Sequence, residues 1–153
     1  SRKIAKKIIL ERKKNKISTT HDLANLIKKV KASKKPYRIH PATKIFQALR
    51  IFINNELEEI KSLIDHSINI MEPGARLVLI SFHSLEDRLV KNTFNKLCGK
   101  EKAINRHMPV INSSIKPKFI KVGKSFYVPT EQEILKNPRS RSAKLRVIER
   151  VSV

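Results

Sequence analysis

The segment from Leu77 to Arg88, LVLISFHSLEDR, restricts the possible folds of this chain more than any other. Pro73-Gly74 precedes it, and four consecutive apolar residues then form a run typical of a strand buried on both faces of a parallel sheet. Polar side chains follow at once: Ser81, His83, Ser84, Glu86, Asp87 and Arg88. Ligands of open α/β sheets bind beyond the carboxyl ends of the strands, so we expect a functional site directly after residue 80.

Spacing alone leaves two local interpretations of this polar cluster. In one, Ser84 is the N-cap of the next helix, and the acidic residues that follow it interact with the positive end of the helix dipole. In the other, a serine, His83 and Asp87 form a hydrolytic triad. Triads are usually assembled from separate loops, and three members within seven positions rarely converge, which argues against a hydrolase.

Apolar periodicity predicts the remaining elements. Helices are expected over residues 2–14, 20–31, 41–70 and 85–97, with a break near Asn54-Asn55 and a further short helix after Pro129. Short strands are expected over residues 119–122, 125–128 and 144–151. The segment 31–37 reads as a linker and domain boundary, and 99–117 as a mobile loop. These elements are too few to close a doubly wound sheet, which indicates a truncated chain or the C-terminal part of a larger α/β protein.

The charge predicts a polyanionic partner. The chain has 34 Lys and Arg against 13 Asp and Glu, a formal net charge of +21. Thirteen of these basic residues lie in the first 35 positions. A second basic, hydroxyl-rich run suits phosphate oxygens, although a solvated turn would look the same: Arg139, Ser140, Arg141, Ser142, Lys144 and Arg146.

A polar stripe is expected on the 41–54 helix. Its members fall at i, i+4, i+7 and i+11 and are flanked by bulky apolar residues: Thr43, Gln47, Arg50 and Asn54. The stripe is either a solvated face or a pocket wall whose amide and guanidinium groups bind a base edge or a phosphate.

Several classes of protein are disfavoured by the sequence. It has no run of eighteen apolar residues and no secretory signal, so we expect no membrane association. A single cysteine, Cys98, indicates the cytoplasm, and no pair of His or Cys has metal-ligand spacing. The three glycines do not form a nucleotide-binding loop.

Three segments together resemble one family. HPATKIFQALRIFINNELEEI (40–60), PGARLVLISFHSLEDRLVK (73–91) and NPRSRSAKLRVIER (137–150) are similar to the C-terminal half of the bacterial 16S ribosomal RNA cytosine-N4 methyltransferases, the MraW or RsmH family. The resemblance covers nearly the whole chain and is weakest across 99–130.

This resemblance implies an S-adenosylmethionine-dependent enzyme with a Rossmann-like class I sheet interrupted by a helical insert. Residues 1–38 would end the insert, and 39–153 would be the C-terminal portion of the Rossmann-like domain. The Leu77 strand would be the fifth of the sheet, and the Lys144 strand its antiparallel terminal strand. The cofactor-binding residues would lie in an N-terminal half that is absent here, so the isolated chain is expected to be inactive and a separate N-terminal chain could complete it.

The resemblance also suggests roles for the candidate residues. Because cytosine N4 is a poor nucleophile, the enzyme must orient it towards the sulfonium methyl group after the base has left its stack. The catalytic candidates at the strand end are Ser81, His83 and Ser84. The candidates for binding 16S ribosomal RNA in the small subunit are Thr43, Gln47, Arg50, Asn54, Phe82, Asp87, Arg88, Arg139, Arg141 and Lys144. The alternative function is a non-catalytic basic RNA-binding or ribosome-associated module.

Overall fold

The structure is a computed structural model and describes residues 2–31, 37, 39–99 and 117–152. Internal contacts divide the chain into two compact units, Ser1–Glu56 and Leu57–Val153. The predicted boundary at residue 38 stays a prediction. Most of the expected loop over 99–117 and most of the expected linker over 31–37 lie outside the described residues.

The first unit consists of amphipathic helices. Helix α1 spans Arg2–Arg12, α2 spans Thr20–Val30 and α3 spans Thr43–Ile53, as the periodicity predicts. Thr19 caps α2: its hydroxyl accepts a hydrogen bond from the Asp22 amide, and the Asp22 carboxylate accepts one from the Thr19 amide. Apolar side chains from all three segments form a small core around Ile4, Ile27 and Ala42.

The long helical pattern is broken where the sequence predicts. Helix α3 ends at Ile53, and α4 begins at Glu56 and continues to Ile70. Asn55 takes a positive φ of 50°, a conformation that asparagine tolerates better than most residues. Two asparagines in sequence therefore provide the break.

The second unit contains a three-stranded antiparallel sheet. Its strands are β1 (Arg76–Ser81), β2 (Phe119–Lys121) and β3 (Lys144–Arg150), in the order β1-β3-β2. The register pairs Leu77 with Ile148 and Ser81 with Lys144. The fold is thus mixed α/β, and the terminal strand is antiparallel as expected. The strand expected over 125–128 is reduced to a single bridge, in which Tyr127 pairs with Leu145. This bridge follows the turn at Gly123 and precedes Pro129.

One face of the sheet carries the core of this unit. Helix α5 (Ser84–Leu97) contacts all three strands, and the buried core comprises Ile64, Met71, Val90, Phe94, Cys98, Phe119 and Ile148. Leu77 and Leu79 pack against it. Helix α6 (Glu131–Lys136) and a 3-10 helix (Pro138–Ser142) connect the bridge region to β3.

The expectation that β1 is buried on both faces is wrong for this structure. Its burial alternates along the strand, and Val78 and Ile80 are 48% and 56% exposed. The register places these two side chains opposite Val147 and Leu145, on the face away from the core. In β3 it is therefore polar Lys144 and Arg146 that share the core side with Ile148, while the apolar residues between them point outward.

Candidate functional site

The polar segment after β1 is a tightly organised helix N-terminus. His83, and not Ser84, is the N-cap of α5: its Nδ1 accepts a hydrogen bond from the Glu86 amide at 3.3 Å. Ser84 is the first residue of the helix and is exposed. The predicted acidic first turn is confirmed, since Glu86 and Asp87 both lie there.

The Glu86 side chain makes several of the contacts that hold this turn. Its Oε2 accepts hydrogen bonds from the amides of Phe82 at 2.9 Å and His83 at 3.2 Å, and its Oε1 lies 3.1 Å from His83 Nε2. Both ring nitrogens therefore lie within the turn, Nδ1 at the cap and Nε2 beside the Glu86 carboxylate, which suits a positioning role better than proton transfer to a substrate.

Asp87 connects α5 to β3. The carboxylate is buried and accepts hydrogen bonds from Arg146 Nε at 2.8 Å and from Lys144 Nζ at 3.2 Å. Arg146 is also buried, and its Nη1 donates to the Ser125 carbonyl at 2.7 Å. Ser81 is buried nearby, with its hydroxyl 3.4 Å from the Lys144 carbonyl. Because His83 contacts Glu86 and Asp87 binds two cations, these residues form a capping motif and an ion-pair network rather than a hydrolytic triad.

The two cations determine the charge state of Asp87. Burial alone would raise the pKa of this carboxyl group, but the hydrogen bonds and charges of Arg146 and Lys144 together outweigh the desolvation. The pKa of Asp87 therefore lies below its ordinary value. Asp87 remains a carboxylate at neutral pH, and the cluster of one anion and two cations keeps a net positive charge.

The other RNA-binding candidates of the second unit lie at the surface. Phe82 is 57% exposed, and Arg88 is exposed on α5. Arg139 and Arg141 are exposed on the 3-10 helix directly before β3, whereas Ser140 between them is buried and donates to the Asn137 carbonyl. The first part of the basic run is thus a short helix held by Ser140, with Arg139 and Arg141 exposed, whereas Lys144 and the buried Arg146 lie on β3.

The polar stripe lies on α3 in the first unit. Arg50 forms a bidentate pair with Glu56, with Nε and Nη2 at 2.7 and 3.1 Å from the carboxylate oxygens. The Asn54 amide also approaches Glu56, at 3.4 Å. Thr43 is exposed and Gln47 half-buried. At its C-terminal end the stripe is therefore a polar surface held together by an acidic residue, and its substrate role stays a prediction.

Sequence reasoning missed three features of the candidate site: the contacts of Glu86 with the turn, the internal pairing of Arg146, and the position of Phe126. The ring centroid of Phe126 lies 5.2 Å from Lys144 Nζ and 5.3 Å from Arg146 Cζ. One signal could have identified Arg146. In KLRVI it shares its face of the strand with Ile148, and an arginine on a core-facing position needs an anionic partner.

Within the described ranges of the chain, no helix is both long and apolar enough to cross a membrane.

Comparison with known proteins identifies the relatives of the chain. Residues 1–151 match the model of the MraW methylase family. Three similar proteins, each called ribosomal RNA small subunit methyltransferase H, come from Ehrlichia canis (45% identity over 97% of this chain), Bradyrhizobium diazoefficiens (45% over 99%) and Ehrlichia chaffeensis (46% over 97%). The matched regions cover 47%, 45% and 46% of these relatives, so the chain spans about half of their length.

The family model matches nearly every residue, and it includes both the capped turn after β1 and the strand that pairs with it. This chain therefore belongs to the MraW methylase family.

Proposed function

We propose that this chain is the C-terminal part of an S-adenosylmethionine-dependent methyltransferase that modifies N4 of a cytosine in 16S ribosomal RNA, in the small subunit and in the cytoplasm. Family membership supports methyl transfer to ribosomal RNA. The observation that carries the assignment of a site is the turn at Phe82-His83, where β1 ends and Glu86 fixes two consecutive amides.

The exposed face of the sheet supports the view that the domain is incomplete. In the described part of the chain, β1 is an edge strand that pairs only with β3, and Val78 and Ile80 are about half exposed. An apolar face and an open edge of this kind are normally covered. A Rossmann-like sheet completed by the N-terminal half of the family would add a strand at this edge and a layer on this face.

The cofactor does not fit the residues present. The three glycines form turns with positive φ at positions 74, 99 and 123, and none lies in the connection from β1 to α5, where His83 caps the helix instead. The residues that bind S-adenosylmethionine are therefore assigned to the half of the relatives that this chain does not match.

The residues present would orient the base. Ser81 is buried beside the Lys144 carbonyl, and Ser84 and Phe82 are exposed at the mouth of the turn. Orientation of the exocyclic amine towards the methyl donor would supply most of the rate gain, because N4 has little intrinsic nucleophilicity. His83 would act as a positioning residue, since its ring is held by Glu86.

The test is reconstitution of methyl transfer. Small ribosomal subunits that lack the modification are incubated with labelled S-adenosylmethionine and with this chain, alone or together with the N-terminal half of the Ehrlichia canis relative. We expect no transfer by the chain alone and N4-methylcytosine, identified by mass spectrometry of digested RNA, with both halves. Methylation at another atom, or micromolar cofactor binding by the chain alone, would contradict the proposal.

The excess of positive charge supports a second candidate, a non-catalytic RNA-binding or ribosome-associated module. Helices α1 and α2 present many exposed lysines. A chain that folds and binds RNA, yet gains no activity with any N-terminal half, would favour this alternative.

A further inference from the structure

We propose that Phe126 is a preformed stacking surface for a nucleobase of single-stranded RNA, next to the turn after β1. This inference rests on the proposed function, because it names a second point at which the same RNA substrate is held. Phe126 lies outside every candidate set predicted from the sequence, and its position is a consequence of tertiary contacts alone.

The backbone around Phe126 is fixed on both sides. Tyr127 exchanges two hydrogen bonds with Leu145 of β3, at 2.9 and 3.0 Å. On the other side, the Ser125 carbonyl accepts a hydrogen bond from the buried Arg146 guanidinium. Phe126 is nevertheless 42% exposed. An aromatic ring that is held firmly and left open loses little conformational entropy when a flat ligand stacks on it.

The cations near the ring lie on one side of it. Lys144 Nζ and Arg146 Cζ are both just over 5 Å from the ring centroid, and both residues bind the same Asp87 carboxylate. One carboxylate cannot bridge two groups on opposite faces at these distances. Because Phe126 is 42% exposed, a base that stacks on the accessible part of the ring would form a sandwich of cations, ring and base.

The charge of the cluster favours a nucleotide over an apolar ligand. Asp87 balances one of the two cations, and the Lys144 side chain is 39% exposed, so its ammonium can approach a phosphate while the base stacks. Arg139 and Arg141 precede this strand on the 3-10 helix, with exposed side chains. Aromatic surfaces beside positive charge are how proteins bind single strands with little sequence preference.

Replacement of Phe126 by leucine tests the inference, because leucine keeps the apolar contact but has no flat aromatic face. The probe is a twelve-residue oligoribocytidine, with affinity measured by fluorescence anisotropy. We expect F126L to weaken binding roughly 5- to 100-fold and F126Y to bind like the parent chain. The matched control is Leu135→Ala on α6, an 82% exposed side chain whose loss should leave the affinity unchanged. Circular dichroism verifies that each variant is folded.

A second measurement separates stacking from general electrostatic binding. The chain contains no tryptophan, so the F126W variant carries a single indole reporter. Oligoribocytidine should quench its emission, whereas inorganic polyphosphate, which has no bases, should not. Two quenching results would overturn the inference: equal quenching by both probes, or no quenching by the oligonucleotide. Two binding results would do the same: no binding of the oligonucleotide by the parent chain, or unchanged affinity of F126L.

The outcomes also distinguish this inference from the proposed function. Stacking at Phe126 without any methyl transfer in the reconstituted system would support the stacking inference and reject the proposed function. Methyl transfer in the reconstituted system, with both the affinity and the rate of F126L unaltered, would support the proposed function and reject the stacking inference.

Discussion

The two units of the molecule satisfy their polar groups in different ways. In residues 2–56 the partners are close in sequence: Thr19 bonds Asp22, and Arg50 pairs with Glu56 six residues later. In residues 57–152 the caps are also local, as between His83 and Glu86, but the buried Asp87 binds Lys144 and Arg146 at separations of 57 and 59 residues. The first unit is a set of helices with local stop signals, whereas the second is held by contacts that exist only after the chain has folded.

This difference predicts which substitutions are costly. Loss of a local cap destabilises only one helix turn, because the backbone groups that it leaves unpaired are exposed and can hydrogen-bond to water. A buried carboxylate that neutralises an arginine cannot be removed in the same way, because the arginine would stay buried with an unbalanced charge.

The largest effect should come from Asp87→Asn, which keeps the shape of the side chain and removes its charge. Arg146 is only 6% exposed, so we expect the free energy of unfolding to fall by about 3 kcal/mol. Arg76→Ala is the matched control, since Arg76 and Glu149 pair across the same two strands but the Arg76 side chain is 61% exposed. Its loss should cost less than about 1 kcal/mol in urea unfolding. Equal losses for the two variants would show that burial does not govern these pairs.

The next effect should come from Gly123→Ala. Gly123 has φ of +66°, and an added Cβ would lie 2.0 Å from the Tyr127 hydroxyl, which accepts a hydrogen bond from the Lys124 amide. We expect a loss of about 2 kcal/mol. Gly74 also has a positive φ, but its Cβ would meet nothing within 4 Å, so Gly74→Ala reports the backbone strain alone. If the two variants unfold at the same urea concentration, Tyr127 does not contribute.

Thr19 and His83, one capping residue from each unit, test whether a cap has the same value in both units. Thr19→Ala and His83→Ala should each lower stability by about 1 kcal/mol, as measured by thermal unfolding. His83→Ser should restore the stability lost by His83→Ala, because a serine hydroxyl can accept the Glu86 amide hydrogen bond. If serine does not restore it, the imidazole contributes to the turn through Nε2 and Glu86 rather than through the cap.

The smallest effect should appear in the decrease of stability at acid pH. Burial raises the pKa of Asp87, but Arg146 and Lys144 lower it further, so the folded-state pKa lies below that of the unfolded chain. The contribution of Asp87 is therefore complete above about pH 4, near the unfolded pKa. It is lost as the pH falls through the folded pKa. Urea midpoints of the parent chain should decline more steeply below about pH 4 than those of Asp87→Asn, and parallel curves would contradict this account.

The same contrast explains what could be predicted from the sequence. The helices, the break at Asn54-Asn55 and the presence of a terminal strand follow from patterns within short windows, whereas the antiparallel direction of that strand was implied by the family resemblance. The covered face of β1 could not be predicted, because four apolar residues in a row do not reveal that Val78 and Ile80 remain exposed. At the site, the acidic first turn of α5 was predictable, whereas the binding of Asp87 by Arg146 and the fixed position of Phe126 depend on contacts between segments that are far apart in sequence.

The central position of β3 has a consequence for the timing of synthesis. Both other strands pair only with β3 in the described part of the chain, and Lys144 is made 63 residues after Ser81. At ordinary translation rates this interval lasts roughly 3 to 13 seconds. Throughout it, the edge of β1 that later pairs with β3 stays exposed. A synonymous change that slows translation between α5 and β3 would lengthen this exposure without altering a single residue.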